Sequence, residues 1–385
     1  MWNPRLYTFV VLCVSWILVA GTVMGQQRER VYGKNRVLHS NAWYVEQMRL
    51  WREFAEANPT DADAWFNLYR ASRNAYIVGE ETDSLNTKGA NRFARLGAIV
   101  RLMERHVPAS WQYHYAMWLN GNGNPARAPY LEYAATHARG TAEPQLSLAY
   151  LRERLGAYAS RDSAFGAYYR SGEFSPGLLT YAYNMLVSME PDALVFTEGD
   201  KDTDGMLILQ GGRALRRDIR VLNVNLLLET AYRDRVFAEL GIDPLPFDPR
   251  ADDAAFARYK ASVVRHVAAN RGERPVYVAV SVSDEYRETI AGKLGCVGLV
   301  YRFSETPLDH TAALKRNVEQ HFLLDDLREY LPYDISLGNL REFNLNYLPA
   351  FDILIRHYRA SGDTVRAARL SDLTQRIRAD AAFLK

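Results

Sequence analysis

The sequence predicts an α + α/β chain: a helical, repeat-like N-terminal region, a small and mostly parallel α/β domain, and a C-terminal helix pair. Three observations predict it. Apolar residues recur with a period near 3.6 from residue 40 to about 190. Four short runs rich in Val, Leu and aromatics then alternate with helical stretches up to about residue 305, the pattern of crossover units in a parallel sheet. After 306 the helical period returns. These changes of pattern set the expected boundaries: an export signal over 1–25, a helical domain over 38–190, an α/β domain over 191–305 and a helical segment over 306–385.

Taken in order, Leu6 to Met24 is an uncharged run behind Arg5, the layout of an export signal. Val23 and Gly25 supply the small residues wanted before a cut at Gln26. The alternative is a retained anchor, since the run is just long enough to span a bilayer and Arg28, Arg30, Lys34 and Arg36 follow it. The expected location is therefore outside the cytoplasm, periplasmic if the source is Gram-negative, with membrane contact only through that segment if it is kept. Cys13 leaves with the signal, so Cys296 stands alone, reads as a small buried hydrophobe and forms no internal disulfide. Lys and Arg number 47 against 45 for Asp and Glu, which leaves no field of one sign for nucleic acid.

Ser40 caps a helix carrying Trp43, Met48 and Trp51, and Asn58-Pro59-Thr60-Asp61 stops it before a second. NPTDADAWFNLYRAS resembles the opening of a tetratricopeptide repeat, a proline turn leading into a helix with an aromatic and a leucine at fixed offsets. Further helices are expected at 87–106, 109–119, 125–138, 143–158, 160–171 and 176–188. Strands are expected at 193–198, 219–227, 275–282 and 297–303, with helices at 205–215, 229–240, 251–270 and 284–294 between them. The closing FDILIRHYRASGDTVRAARLSDLTQRI sets Tyr358, Gly362 and Ala367 where a helix-turn-helix repeat wants its aromatic, its turn and its small residue. A single such repeat must dock on the α/β domain or on the helix expected at 311–330.

In a parallel sheet, ligands bind outside the carboxyl ends of the strands. Thr197, Glu198, Asp200, Asp202, Asp204, Asn225 and Ser283 fall at that edge and are the candidate ligand-binding residues; Asn223, Ser281 and Asp284 lie in the same rim. Asp200, Asp202 and Asp204 are also the candidate ligands of a divalent cation, because with Gly205 they match positions 1, 3, 5 and 6 of a calcium hand. Position 12, which should be Glu, is Gly211, and the loop follows a strand, so a calcium hand is rejected while an irregular site stays open. A D-x-D of the kind that holds a metal-bound nucleotide sugar is the second reading. The plain one is that Asp200 and Asp204 cap a helix starting near 205, with Gly199 and Gly205 easing the turn. On that reading Asp200→Ala costs about 1 kcal/mol and Asp202→Ala little, provided its side chain is exposed. No cofactor is called for, no catalytic residue is assigned, and zincin, nucleophile-elbow and phosphate-loop patterns are missing from the sequence.

ALVFTEGDKDTDGMLILQGGRALRRDIRVLNVNLLLETAYRDRVFAEL resembles the part that follows the membrane spans in a bacterial family of unknown function, related to an O-mannosyltransferase-like membrane protein of eukaryotes. Phe196, Thr197, Gly199, Asp200, Asp202 and Thr203 match its F-T-x-G-D-x-D-T; Arg217, Asp218, Val221, Asn223, Leu226 and Leu227 match its second motif. RPVYVAVSVSDE, GLVYRF and the closing helix pair extend the resemblance over about 190–380. The chain departs from the family in lacking the multi-span membrane part. The resemblance therefore implies a shared exported domain that recognises a protein or glycan partner at the cell envelope. A metal-dependent enzyme acting on envelope glycans through Asp200, Asp202 and Asp204 is the alternative.

Overall fold

The computed structural model describes residues 27–78, 90–306, 309–331 and 333–382. The expected export signal and residues 87–89 of an expected helix lie outside the described residues. The chain forms two compact units, one made of residues up to Gly33 with His39–Ala116, the other of Lys34–Leu38 with Met117–Lys385.

The first unit is helical. Helices α1 (Asn41–Ala57) and α2 (Ala62–Val78) pack together across a four-residue turn, followed by α3 (Ala90–His106) and the start of α4 (Trp111–Asn120). Ser40 accepts from the Trp43 N–H and Asp61 from the Ala64 N–H, capping α1 and α2. Trp65 reaches back to the Pro59 carbonyl at 2.8 Å and stacks on His106, which locks the turn to both helices.

The second unit holds helices α5 (Ala128–His137), α6 (Glu143–Arg154), α7 (Tyr158–Ser171) and α8 (Pro176–Val187), then the sheet, then the C-terminal helices. Its strands are β1 (Leu194–Thr197), β2 (Arg220–Asn223), β3 (Val276–Ala279), β4 (Leu294–Cys296) and β5 (Val300–Phe303), in the order β2-β1-β3-β5-β4. The sheet is mixed and five-stranded. β1 runs parallel to β2 and β3, while β5 is antiparallel to β3 and β4. Every residue of β1 and β3 is buried, as strands covered on both faces must be, and so their apolar runs were readable. The run expected as one strand at 297–303 instead contains a turn. Val297 N–H bonds to the Val300 carbonyl, and Gly298 takes φ +141°, where an added Cβ would meet the Phe322 ring at 2.6 Å.

Helix α9 (Asp200–Arg213) connects β1 to β2; α10 (Thr230–Leu240) and α11 (Asp253–Ala269) connect β2 to β3. α9 begins at Asp200, five residues before the expected start. Gly205 and Gly211 are contact points within it. A Cβ on Gly205 would lie 2.6 Å from the Ala182 Cβ in α8, and one on Gly211 2.7 Å from the Phe165 Cβ in α7. This close approach joins α7 and α8 to the sheet across the 190 boundary that composition suggested, and the compact unit they belong to begins at Met117.

Beyond the sheet, α12 (Thr311–Arg316) passes into a π turn at Asn317–His321. The buried Asn317 amide donates to the Ser188 carbonyl at the end of α8 and to the Val297 carbonyl in the hairpin turn. The closing pair, α13 (Leu348–Ala360) and α14 (Thr364–Ala382), turns at Gly362 with φ +78°. Tyr358 of α13 donates to Glu319, so the pair docks on the segment expected at 311–330. Cys296 is buried and its thiol is pushed up to about 11 by that burial, so it stays protonated and inert.

Candidate functional site

β1 and β3 are neighbours whose outgoing connections leave in opposite directions, toward β2 and toward β4. Their carboxyl ends therefore flank the switch point at which an open sheet offers a crevice. Thr197, Glu198, Asp202, Asn225 and Ser283 meet here through hydrogen bonds, whereas Asp200 and Asp204 turn to other partners.

Asp202 is the centre. It is 1% exposed and sits at the third position of α9. Its Oδ1 accepts from the Gly199 N–H at 2.9 Å; its Oδ2 accepts from the Glu198 N–H at 3.1 Å and from the Ser281 hydroxyl at 2.7 Å. It thus satisfies the donors that a helix leaves free at its start and ties β1 to the loop after β3. Burial raises its carboxyl to about 6 against these bonds. Glu198 makes the second crossing, accepting from the Ser283 N–H at 2.7 Å and from its hydroxyl at 3.3 Å. On the other side, the Asn225 amide reaches the Glu198 carbonyl at 2.7 Å. The buried Thr197 and Thr203 hydroxyls lie 2.8 Å apart, and the Asn223 amide donates to Thr203 at 2.9 Å. Asn223 Oδ1 accepts from the N–H groups of Asn225 and Leu226, turning the chain out of β2.

The helix sends the three aspartates to three different partners. Asp202 faces Ser281 and the backbone, the buried Asp204 accepts from Tyr150 of α6, and the exposed Asp200 accepts from Asn35. Burial, with Asp200 and Asp202 adding repulsion, pushes the Asp204 carboxyl well above the usual range. Among the described residues no group of three His, Cys, Asp or Glu is arranged to hold a metal ion. The expectation that Asp200 and Asp204 cap the helix is corrected: Asp202 does so, because the helix starts five residues early.

Residues 179–240 match the family model of TMEM260-associated domain 2. The match begins in α8, takes in β1, α9 and β2 with their motifs, and ends with α10. No curated protein and no solved structure matches the chain. Among the described residues no helix is long and apolar enough to cross a membrane.

Two residues of the network were not singled out from the sequence. Tyr150 and Asn35 are distant in the chain from the residues they meet, and neither belongs to a pattern, so only the fold places them. Ser281 had a signal, since it lies at the end of a buried strand run.

Proposed function

We propose that the chain is a non-catalytic, exported binding protein that recognises a protein or glycan partner at the cell envelope through its helical, tetratricopeptide-like and α/β parts. One observation carries the reading. The acidic and amide groups at the switch point are engaged by donors and acceptors of the chain itself, as a structural keystone requires and a reacting centre does not. The Leu6–Met24 run and the proposed cut before Gln26 support export. The match at 179–240 supports a relation to the O-mannosyltransferase-like membrane family.

Calorimetry of the protein with calcium, magnesium and manganese tests the absence of a metal-dependent activity. No heat and no rise in melting temperature are expected. A cation that binds to the wild type and not to Asp202→Asn would overturn the reading. Chemical cross-linking in envelope extracts, followed by identification of the attached species, tests the partner.

A further inference from the structure

The first unit carries a segment of its own chain along the groove between α1 and α2. Residues 27–33 form no helix or strand, yet their main chain is gripped at N–H and carbonyl groups in turn. The fully buried Gln47 amide accepts from the Glu29 N–H at 2.9 Å and donates to the Gln27 carbonyl at 3.0 Å. Trp51 Nε1 donates to the Glu29 carbonyl at 2.9 Å, Asn67 accepts from the Val31 N–H at 2.7 Å, and the Asn74 amide donates to the Tyr32 carbonyl at 3.0 Å. Gln47 and Trp51 stand one turn apart on α1, Asn67 and Asn74 two turns apart on α2, so each helix turns one polar row toward the segment.

We propose that this groove is a site for an extended polypeptide segment with an arginine three residues before an aliphatic side chain, and that residues 27–32 occupy it until such a segment of a partner protein replaces them. The proposal rests on the binding reading above and names the partner's chemistry. An amide side chain offers both a donor and an acceptor, so helices lined with Gln and Asn read a peptide main chain whatever its sequence. A glycan backbone has no such alternation of N–H and C=O groups. Sequence preference comes from the side chains between the bonds. Val31 is 2% exposed and fills a pocket with Tyr44, Ala71 and Ala75. The Arg28 guanidinium lies 3.8 Å from the centre of the Phe54 ring and 5.9 Å from that of Trp51. Pocket and ring are covered by the segment itself, so both open when it leaves.

The segment is held lightly enough to exchange. Residues 27–30 are exposed and Val31 alone of the seven is buried. α1 and α2 also pack directly on each other, so the groove outlasts its occupant. With the proposed cut before Gln26 the segment is a chain end, which leaves without threading. Its presence weakens any competitor in proportion to the time the groove stays closed.

Hydrogen exchange of the wild-type chain is the first test. The Glu29 and Val31 amides should exchange well before those of α1 and α2, because the segment leaves while the helices stay folded. Exchange in step with the helices would make residues 27–32 an integral part of the fold and sink the proposal. The second test is binding of a fluorescent peptide of residues 27–33, followed by anisotropy. Val31→Asp in the chain sets a carboxylate against the apolar pocket and empties the groove. It should tighten peptide binding about tenfold over the wild type, as expected for a groove otherwise open about a tenth of the time. The same peptide N-methylated at Glu29 and Val31 keeps every side chain, loses the two donors and should not bind. Trp51→Phe and Asn67→Ala in the opened chain should each weaken the unmodified peptide at unchanged melting temperature. Equal binding of the methylated peptide, or no binding of the unmodified one to a folded Val31→Asp chain, would overturn the proposal. If the opened groove takes no peptide while the wild type still cross-links a partner from envelope extract, the groove assignment falls and the binding reading stands.

Discussion

An alanine at position 202 strips the Gly199 and Glu198 N–H groups and the Ser281 hydroxyl of one shared acceptor in a nearly closed environment. Each donor left unmet costs about 1–3 kcal/mol, so Asp202→Ala should lower unfolding free energy by roughly 3 kcal/mol in urea titration. Asp200→Ala removes an exposed side chain and should cost under about 1 kcal/mol. The acidity of the pair Asp202 and Asp204 has its own signature. Folding raises the Asp202 carboxyl from 3.8 to about 6, so between those pH values the unfolded chain ionises while the folded chain keeps its proton. Stability should therefore fall as pH rises through that window, by about 3 kcal/mol for a shift of roughly two units, and stay lower above it. Asp204, shifted in the same direction, should extend the decline to higher pH; Asp204→Asn should remove that extension and stabilise the protein under alkaline conditions. Urea midpoints measured across acid to alkaline buffers check both. At this scale the sequence showed that the loop mattered without showing which carboxylate carried it, since Asp200 and Asp202 look alike until the helix phase is known.

At the scale of elements, glycine in α9 reverses an ordinary expectation. Replacing a helical glycine by alanine usually gains up to about 1 kcal/mol, yet at Gly205 the new methyl would meet the Ala182 Cβ at 2.6 Å. Gly205→Ala should cost about 1–3 kcal/mol through overpacking against α8, measurable by chemical denaturation. The same residue explains what sequence reasoning missed here. Three Asp, a Thr and a Gly within six residues look like a loop because each is a poor interior helix former, but Asp in a first turn meets the free N–H groups there and is favoured. β1, β3 and the closing pair were legible because doubly covered strands are continuously apolar and the final turn carries its own glycine. The β4–β5 hairpin was not. Val297-Gly298-Leu299 is as apolar as a strand, and only the approach of Phe322 reveals why glycine sits in the middle.

For the molecule as a whole, composition marked a boundary near 190 where the chain first makes strands, whereas packing places the division near 116. Periodicity reports what an element is, and burial decides what it belongs to. The glycine contacts of α9 with α7 and α8 make α6, α7 and α8 part of the sheet's own core. A second long-range element is the segment Lys34–Leu38. Arg36 pairs with Glu173 at 2.8 Å, the Asn339 amide donates to the Asn35 carbonyl at 3.0 Å, and Asn35 meets Asp200. A single proteolytic nick between Ala116 and Met117 should therefore leave the two fragments together on a native gel. Arg36→Ala should weaken that hold by removing the pair with Glu173.

That segment also sets an order of events during biosynthesis. Lys34–Leu38 leaves the ribosome or the export channel long before Glu173, Asp200 and Asn339 exist as a folded surface. The unit made of residues up to Gly33 with His39–Ala116 is complete in the meantime and holds the segment as a loop joined to it at both ends. Capture of the loop is thus a late, intramolecular step. A pulse-labelled chain should reach protease resistance in two stages, with protection of Arg36 arriving last.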